Sequence, residues 1–321
     1  MNMRIHIDQH DGFRHWILAA SILIFGVDLS GAEPLVPGTG ILLTEVGDDF
    51  EDEGWEYLYN NPKSTYENDK EQRYPAGGSK NGRWYEGMKR GQPDVIKRVP
   101  TPKGGLPGSR GSLLLRSLYT GIPGRPSYQM QQDDFIADVS SRVGGAISIS
   151  RSPSVVVRVF LPPVATWEKR TGPHFAFRAD VETTVTKPSG KARFSSSQRE
   201  SETYWPGLFV AFESQADGRD NNYAYFSIRA DEWGHDFRGP QITTTGWWTL
   251  GMSFTPNGMV HYFAKPGIED LTPQDHIASQ YPYGYRCERF ETFFFDVLNS
   301  DDGRTWSTSF VIDDAHVYCL R

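Results

Sequence analysis

Arg178, Asp180 and Glu182 lie on one short run and alternate with Phe177, Ala179 and Val181. An extended backbone puts the three polar side chains on one face, successive ones about 6.5–7 Å apart. Two carboxyl groups roughly 5–9.5 Å apart, one protonated and one ionised, are what glycoside hydrolysis uses. A second chemistry opens if Arg178 is the working group. On an acidic polysaccharide, Arg or Gln neutralises the uronate carboxylate while Tyr or His moves the protons of a β-elimination. Gln241, Tyr262 and His235 are the candidates of those types, beside Arg178 and Glu182, with His174 as a further imidazole.

If the polar faces of neighbouring strands lie together, Trp247, Tyr225, Arg229, Asp180, Glu213 and His174 form a sugar-binding surface. Aromatic rings stack on the C–H faces of a sugar, and fixed polar groups meet its hydroxyls. A solvated face with ordinary cross-strand ion pairs, such as Arg178 with Glu213, accounts for the same residues. Asp49 and Glu51 near the start and Asp313 and Asp314 near the end could hold one structural Ca²⁺ if the first and last strands are neighbours. Turn-capping is the alternative use of such acids. No other cofactor is called for: there is no His/Cys zinc spacing, phosphate loop or Gly-x-Ser-x-Gly elbow.

Strands must position these groups. The clearest unit is Gly246 to Gly267, where Thr255-Pro256-Asn257-Gly258 joins two alternating runs as a hairpin. A loop of two or four residues puts Trp248, Leu250, Met252 and Phe254 on one face with Met259, His261 and Phe263. Trp247 and Tyr262 then share the other face, as part of a groove floor. Further strands are expected at Val155–Leu161, Phe175–Val185, Gly207–Glu213, Tyr223–Ala230, Phe290–Leu298 and Thr308–Tyr318, with hardly any helical period. This is the pattern of an all-β sandwich or barrel. Residues 52–110 are expected to be a mostly irregular loop segment. Its Lys89, Arg90, Lys97, Arg98, Lys103 and Arg110 beside Trp84 and Tyr85 would suit a sulfated or uronic glycan, or simply solvent.

The chain resembles the concanavalin A-like lectin/glucanase jelly-roll superfamily, which also holds laminin-G-like domains. The resemblance covers about Ile41–Arg321 and rests on Asp48-Asp49-Phe50-Glu51, the hairpin, and Phe310-Val311-Ile312-Asp313-Asp314-Ala315. It implies an antiparallel jelly-roll β-sandwich of two curved sheets, with glycans bound on the concave one. The laminarinase-type Glu-x-Asp-x-x-Glu run is absent. Jelly-roll alginate lyases are similar in three places, in the same order. Arg178-Ala179-Asp180-Val181-Glu182 is similar to their Arg-x-Glu-Leu-Arg, Gln241-Ile242-Thr243 to Gln-Ile-His, and Tyr262-Phe263-Ala264-Lys265 to Tyr-Phe-Lys-Ala-Gly. Thr243 stands where that family has its His, Glu182 replaces an Arg, and Lys265 is displaced by one. The resemblance therefore implies polysaccharide binding, with a lyase, a hydrolase or a non-catalytic cell-envelope protein as alternatives.

Compartment and size complete the expectation. Arg4 and Arg14 precede a 12-residue apolar run, Trp16–Val27, and then Ser30-Gly31-Ala32. This is too short to span a bilayer and suits a cleaved signal peptide over 1–32, hence a secreted or periplasmic protein with no membrane insertion after cleavage. The remaining 33–321 are expected to form a single domain. The whole chain carries net charge −7. A mildly acidic protein has no general attraction for nucleic acid. In an oxidising compartment the only two cysteines, Cys287 and Cys319, are expected to pair, closing about 33 residues for roughly 3–4 kcal/mol.

Overall fold

The structure is a computed structural model that describes residues 33–70, 73–189 and 196–321. The expected signal peptide lies outside the described residues. In chain order the strands are β1 (Ile41–Leu42), β2 (Tyr57–Leu58), β3 (Gly78–Ser79), β4 (Trp84–Glu86), β5 (Val95–Pro100), β6 (Gly111–Arg116), β7 (Gln131–Ala137), β8 (Ile147–Ser148), β9 (Ser154–Leu161) and β10 (Gly172–Ser189). They continue as β11 (Ser196–Tyr204), β12 (Gly207–Glu213), β13 (Tyr223–Arg229), β14 (Phe237–Ile242), β15 (Gly246–Phe254), β16 (Val260–Pro266), β17 (His276–Gln280), β18 (Arg289–Asn299) and β19 (Phe310–Cys319).

They make two antiparallel sheets. The smaller runs β17-β16-β15-β9-β19-β6-β5, with β1 on β19. The larger runs β14-β13-β12-β10-β18-β7-β4-β3-β2, with β11 on β10 and β8 on β18. This is the jelly-roll β-sandwich that the strand pattern and the family resemblance implied. The segment 52–110 contributes more order than its sequence suggested: β2, β3 and β4 extend the larger sheet and β5 edges the smaller one.

The core is aromatic. Phe175 and Phe177 on β10 and Phe293 and Phe295 on β18 are fully buried, as the alternation of β10 predicts. Phe175 stacks on Phe310 of β19 in the smaller sheet at 4.8 Å, which ties the two layers together. Trp84 stacks on Phe135 at 4.5 Å and pulls β4 onto β7. Each such ring contributes about 1.5–3 kcal/mol by burial. One buried ion pair anchors the covering segment as well: Lys63 Nζ lies 2.6 Å from Asp133 and 3.0 Å from Asp94. Asp133 is wholly enclosed, and burial pushes its carboxyl up to about 8 despite the lysine.

Two local features reverse the face assignments made from alternation. The β15–β16 loop has three residues, Pro256-Asn257-Gly258, because Thr255 N–H donates to Met259 O and Phe254 pairs with Val260. Pro256 and Asn257 take the turn, and Gly258 accepts the left-handed conformation at φ +85°. An odd loop shifts the register by one, which moves a whole strand's side chains to the other face. Tyr262 therefore joins Trp248, Leu250, Met252 and Phe254 in the core, and Trp247 faces the opposite way. The second feature is a register shift in β10 between Pro173 and Phe175. The extra residue, His174, is buried between Trp167 and Phe212.

Cys287 and Cys319 are both buried and both free, so the expected disulfide is not formed. Cys287 Sγ–H points to Arg289 O at 3.5 Å, and burial pushes its thiol up to about 12. Cys319 sits in the ladder opposite Ile41. Among the described residues, no helix is long and apolar enough to cross a membrane.

Candidate functional site

The outward face of the larger sheet carries a groove that runs along β10, β18 and β7. Three cavities of about 420, 540 and 370 Å³ follow one another and share lining residues. Trp205, on the turn between β11 and β12, walls the first two. Tyr85 of β4 walls the second and third. Lys89, on the loop after β4, bends over Trp205 with its Nζ 4.6 Å from the ring centre.

Alternation in β10 puts Arg178, Asp180 and Glu182 on this face, as read from sequence. Arg178 is nearly enclosed, at 5% exposure. Its Nη1 lies 3.3 Å from Asp296 Oδ2, its Nη2 donates to Trp205 O at 3.1 Å, and its guanidinium lies between the rings of Phe209 and Phe294. Gly207 stands opposite Arg178 in the ladder, and a Cβ there would come within 2.5 Å of the arginine Cγ. Only glycine leaves the arginine room to lie flat. The Arg178–Glu213 ion pair of the alternative, solvated-face reading is not made; that carboxylate binds Arg238 at 2.6 Å and Arg219 at 2.8 Å.

Charge is graded along the groove. Arg178, Arg229, Lys89 and Arg90 line the first cavity, with Glu67 and Asp134. Three of these cations already have partners: Arg178 meets Asp296 at 3.3 Å, Arg229 grips Asp236 through both nitrogens at 2.8 and 2.7 Å, and Arg90 meets Glu67 at 2.9 Å. Asp138, Asp180, Glu182 and Glu291 line the third cavity. A register shift opposite Asp180 leaves Glu291 as an extra residue in β18, and a bulge of this kind re-aims a side chain. Burial first, then the Glu291 charge, push the Asp180 carboxyl up to about 6. Glu182 is held by Arg289 at 2.7 Å.

Of the residues singled out from sequence, the structure brings Arg178, Asp180, Glu182 and Arg229 into the groove. Tyr225, Glu213 and Gln241 share its sheet face but lie toward the edge, where Tyr225 packs under Arg238 at 3.9 Å and pairs with Gln241. His235 is on the exposed β13–β14 turn beside Asp231. The rest fall elsewhere. Tyr262 is buried, and its hydroxyl donates to the Arg229 carbonyl at 2.7 Å instead of facing a guanidinium. Trp247 lies on the outside of the smaller sheet and donates to Pro102 O. His174 is held by Thr308 Oγ1 at 2.7 Å and Arg170 O at 2.9 Å, and burial pushes it down to about 3, so it stays neutral.

The four acids considered for Ca²⁺ do not converge, and among the described residues no group of three or more His, Cys, Asp or Glu side chains could hold a metal. Asp49 caps Glu51 N–H, and Glu51 takes the Arg110 and Gly111 N–H groups. Asp313 accepts from Ser109 and Ser112, and Asp314 meets His316 at 3.2 Å.

Sequence reasoning missed Asp134, Asp296, Phe209, Phe294, Trp205 and Tyr283. The last occupies the first cavity with Arg178 and Arg229, where Tyr262 had been expected. A signal existed for Asp296: it is the lone charge in the apolar run Phe293–Leu298.

No protein-family model matches the chain, and no curated protein matches it. Solved structures of similar fold include the alginate lyase AlgAT5 from polysaccharide lyase family 7, at 8% identity over 89% of this chain and 100% of that one, TM-score 0.41. An endo-β-1,4-glucuronan lyase from the fungus Trichoderma reesei matches at 10% identity over 77% and 95% of the two chains, TM-score 0.36. The CBM2 module of the evolved Dit of Lactobacillus casei BL23 phage J-1 matches at 10% identity over 85% and 94%, TM-score 0.35.

Proposed function

We propose that the protein is a carbohydrate-interacting jelly-roll protein that holds a polysaccharide along the groove of its larger sheet, outside the cytoplasm. One observation carries this reading: three contiguous cavities follow the strands, flanked by Trp205 and Tyr85, with the nearly buried Arg178 beneath the first. An extended, open groove with aromatic walls and fixed polar groups suits a chain of sugar rings. The cationic end favours a glycan that carries carboxylate or sulfate where it meets Arg178, Arg229 and Lys89.

Binding without cleavage fits better than catalysis. Tyr85 is surrounded by acids: burial, then Asp180, Asp138 and Glu291, raise its phenol well above the ordinary tyrosine value, which opposes a role as base. Elimination on an acidic glycan stands second, favoured by Tyr283 in the same cavity as Arg178 and Arg229. Incubation of the protein with neutral, uronic and sulfated polysaccharides separates the readings. Retention on one class with no new product supports binding, and new absorbance from unsaturated uronates supports elimination. Loss of neither retention nor product on Trp205→Ala would remove the groove from the account.

A further inference from the structure

Asp134 of β7 and Asp296 of β18 are directly opposite each other in the antiparallel ladder. Their Cβ atoms are then about 4.5–5.5 Å apart on the groove face. Asp296 is fully buried and Asp134 nearly so, at 7% exposure. Arg178 on β10 is the cation within contact of the pair, through Asp296 Oδ2. Among the described residues, the second oxygen of Asp296 is buried with no hydrogen-bond partner, and the Asp134 carboxyl receives only the Gln132 amide, at 2.9 Å. Two enclosed carboxyl groups facing one guanidinium balance only if they carry one negative charge between them.

We propose that the pair holds a single proton on Asp134, which makes Asp134 the groove's fixed O–H donor to an acceptor oxygen of the bound glycan. This rests on the polysaccharide reading above and adds a residue and a pH dependence to it. Asp134 lines both the first and the second cavity, so its carboxyl faces the space where those cavities join. The charged and titratable groups around it are Asp296 from β18, Arg178 and Asp180 from β10, Arg229 from β13, Tyr85 from β4, Lys89 and Arg90 from the loop after β4, Glu202 from β11, Glu67, and Tyr283. Arg229 is drawn off by Asp236, and Arg90, shared with Glu67, offsets the second carboxylate only in part. Burial, and next the Asp296 charge, raise the Asp134 carboxyl well above the usual carboxylate range, in agreement with this geometry. Above its titration both acids are ionised. The donor is then lost, and the floor repels an anionic sugar.

The test has two arms on the full chain. Without ligand, carbon-13 NMR of labelled aspartate carboxyls follows the titration, and Asp134→Asn identifies the Asp134 signal. The expected result is an Asp134 carboxyl still protonated well above pH 4.5 that Asp296→Asn returns toward the ordinary range. Titration of Asp134 at its ordinary value, or no response to Asp296→Asn, would overturn the proposal. In the second arm, retention on a neutral β-glucan and on polygalacturonate is measured across pH. Affinity is expected to fall roughly three- to tenfold as Asp134 ionises, the worth of one hydrogen bond. Asp134→Asn should flatten that profile, because the amide keeps a donor. A wild-type profile that Asp134→Asn leaves unaltered overturns the donor role. Absence of retention at every pH, with the titration intact, overturns the polysaccharide reading and the donor role with it, while the shared proton stands.

Discussion

Replacing Arg178 with methionine should expose how much of the groove floor depends on one buried charge. The guanidinium meets Asp296 at 3.3 Å and the Trp205 carbonyl at 3.1 Å, and lies 5.5 and 5.2 Å from the Phe209 and Phe294 ring centres. Methionine fills a similar volume and keeps the contact with the rings, so the loss is mainly electrostatic. Removing one partner of a buried pair leaves an uncompensated charge and costs about 3–5 kcal/mol. A loss of about 3–5 kcal/mol follows, which for a domain of this length corresponds to roughly 5–8 °C in Tm. Asp296→Asn in the Arg178→Met background removes the stranded charge and should recover about half of the loss or more. Thermal and urea unfolding of the four proteins, followed by tryptophan fluorescence, gives the cycle. A Tm change under about 2 °C for Arg178→Met, or no recovery in the double variant, would refute the reasoning.

Three further outcomes follow from other parts of the fold. His174 is held neutral in the fold at about 3, against about 6.5 unfolded, so its contribution is present above pH 6.5 and lost as pH falls toward 3. That shift bounds the loss at on the order of 4–5 kcal/mol. Asp133, at about 8, and Asp313, at about 7, act in the opposite sense: their contributions are full below about pH 4 and lost as pH rises through 7–8. Between about pH 4 and 6.5 the two carboxyls outweigh the imidazole, so urea midpoints from pH 3 to 9 should be highest near pH 4 and fall toward pH 8, with His174→Gln steepening the fall below pH 6.5; a steady rise through pH 9 would contradict the Asp133 and Asp313 assignments, and no effect of His174→Gln the imidazole's. The native protein should show no thiol reactive to a bulky disulfide reagent, and two after denaturation, with Tm insensitive to reductant; a reductant-dependent Tm would restore the disulfide. Tyr262→Phe should leave glycan retention unchanged and cost about 1 kcal/mol for the lost bond to the Arg229 carbonyl; lost retention would return Tyr262 to the groove.

The strands that build the groove were legible wherever polar and apolar residues alternate without interruption. In β10 the order Phe175, Phe177, Ala179 and Val181 inward with Arg178, Asp180 and Glu182 outward holds, because one face meets the core and the other the groove. Assignments failed where one residue was added or removed from the count. The three-residue loop at Pro256-Asn257-Gly258 sent Tyr262 inward, and the shift at His174 buried an imidazole expected outside. Local pattern also says nothing about cover. The run Gln131–Ala137 carries adjacent acids, and only Lys63, brought from 70 residues earlier in the chain, marks Asp133 as the buried one and Asp134 as the groove one. Trp205 was legible as an aromatic but not as a wall, since its place depends on how β11 leaves β10.

The most direct measurement is an equilibrium binding titration of the full chain with the polysaccharide best retained in the panel, repeated with Trp205→Ala. Saturable binding to one site per chain is expected, which Trp205→Ala weakens roughly tenfold or more, about the worth of one sugar ring stacked on an aromatic. Binding of equal strength in both proteins, or no saturable binding to any polysaccharide, would contradict that expectation.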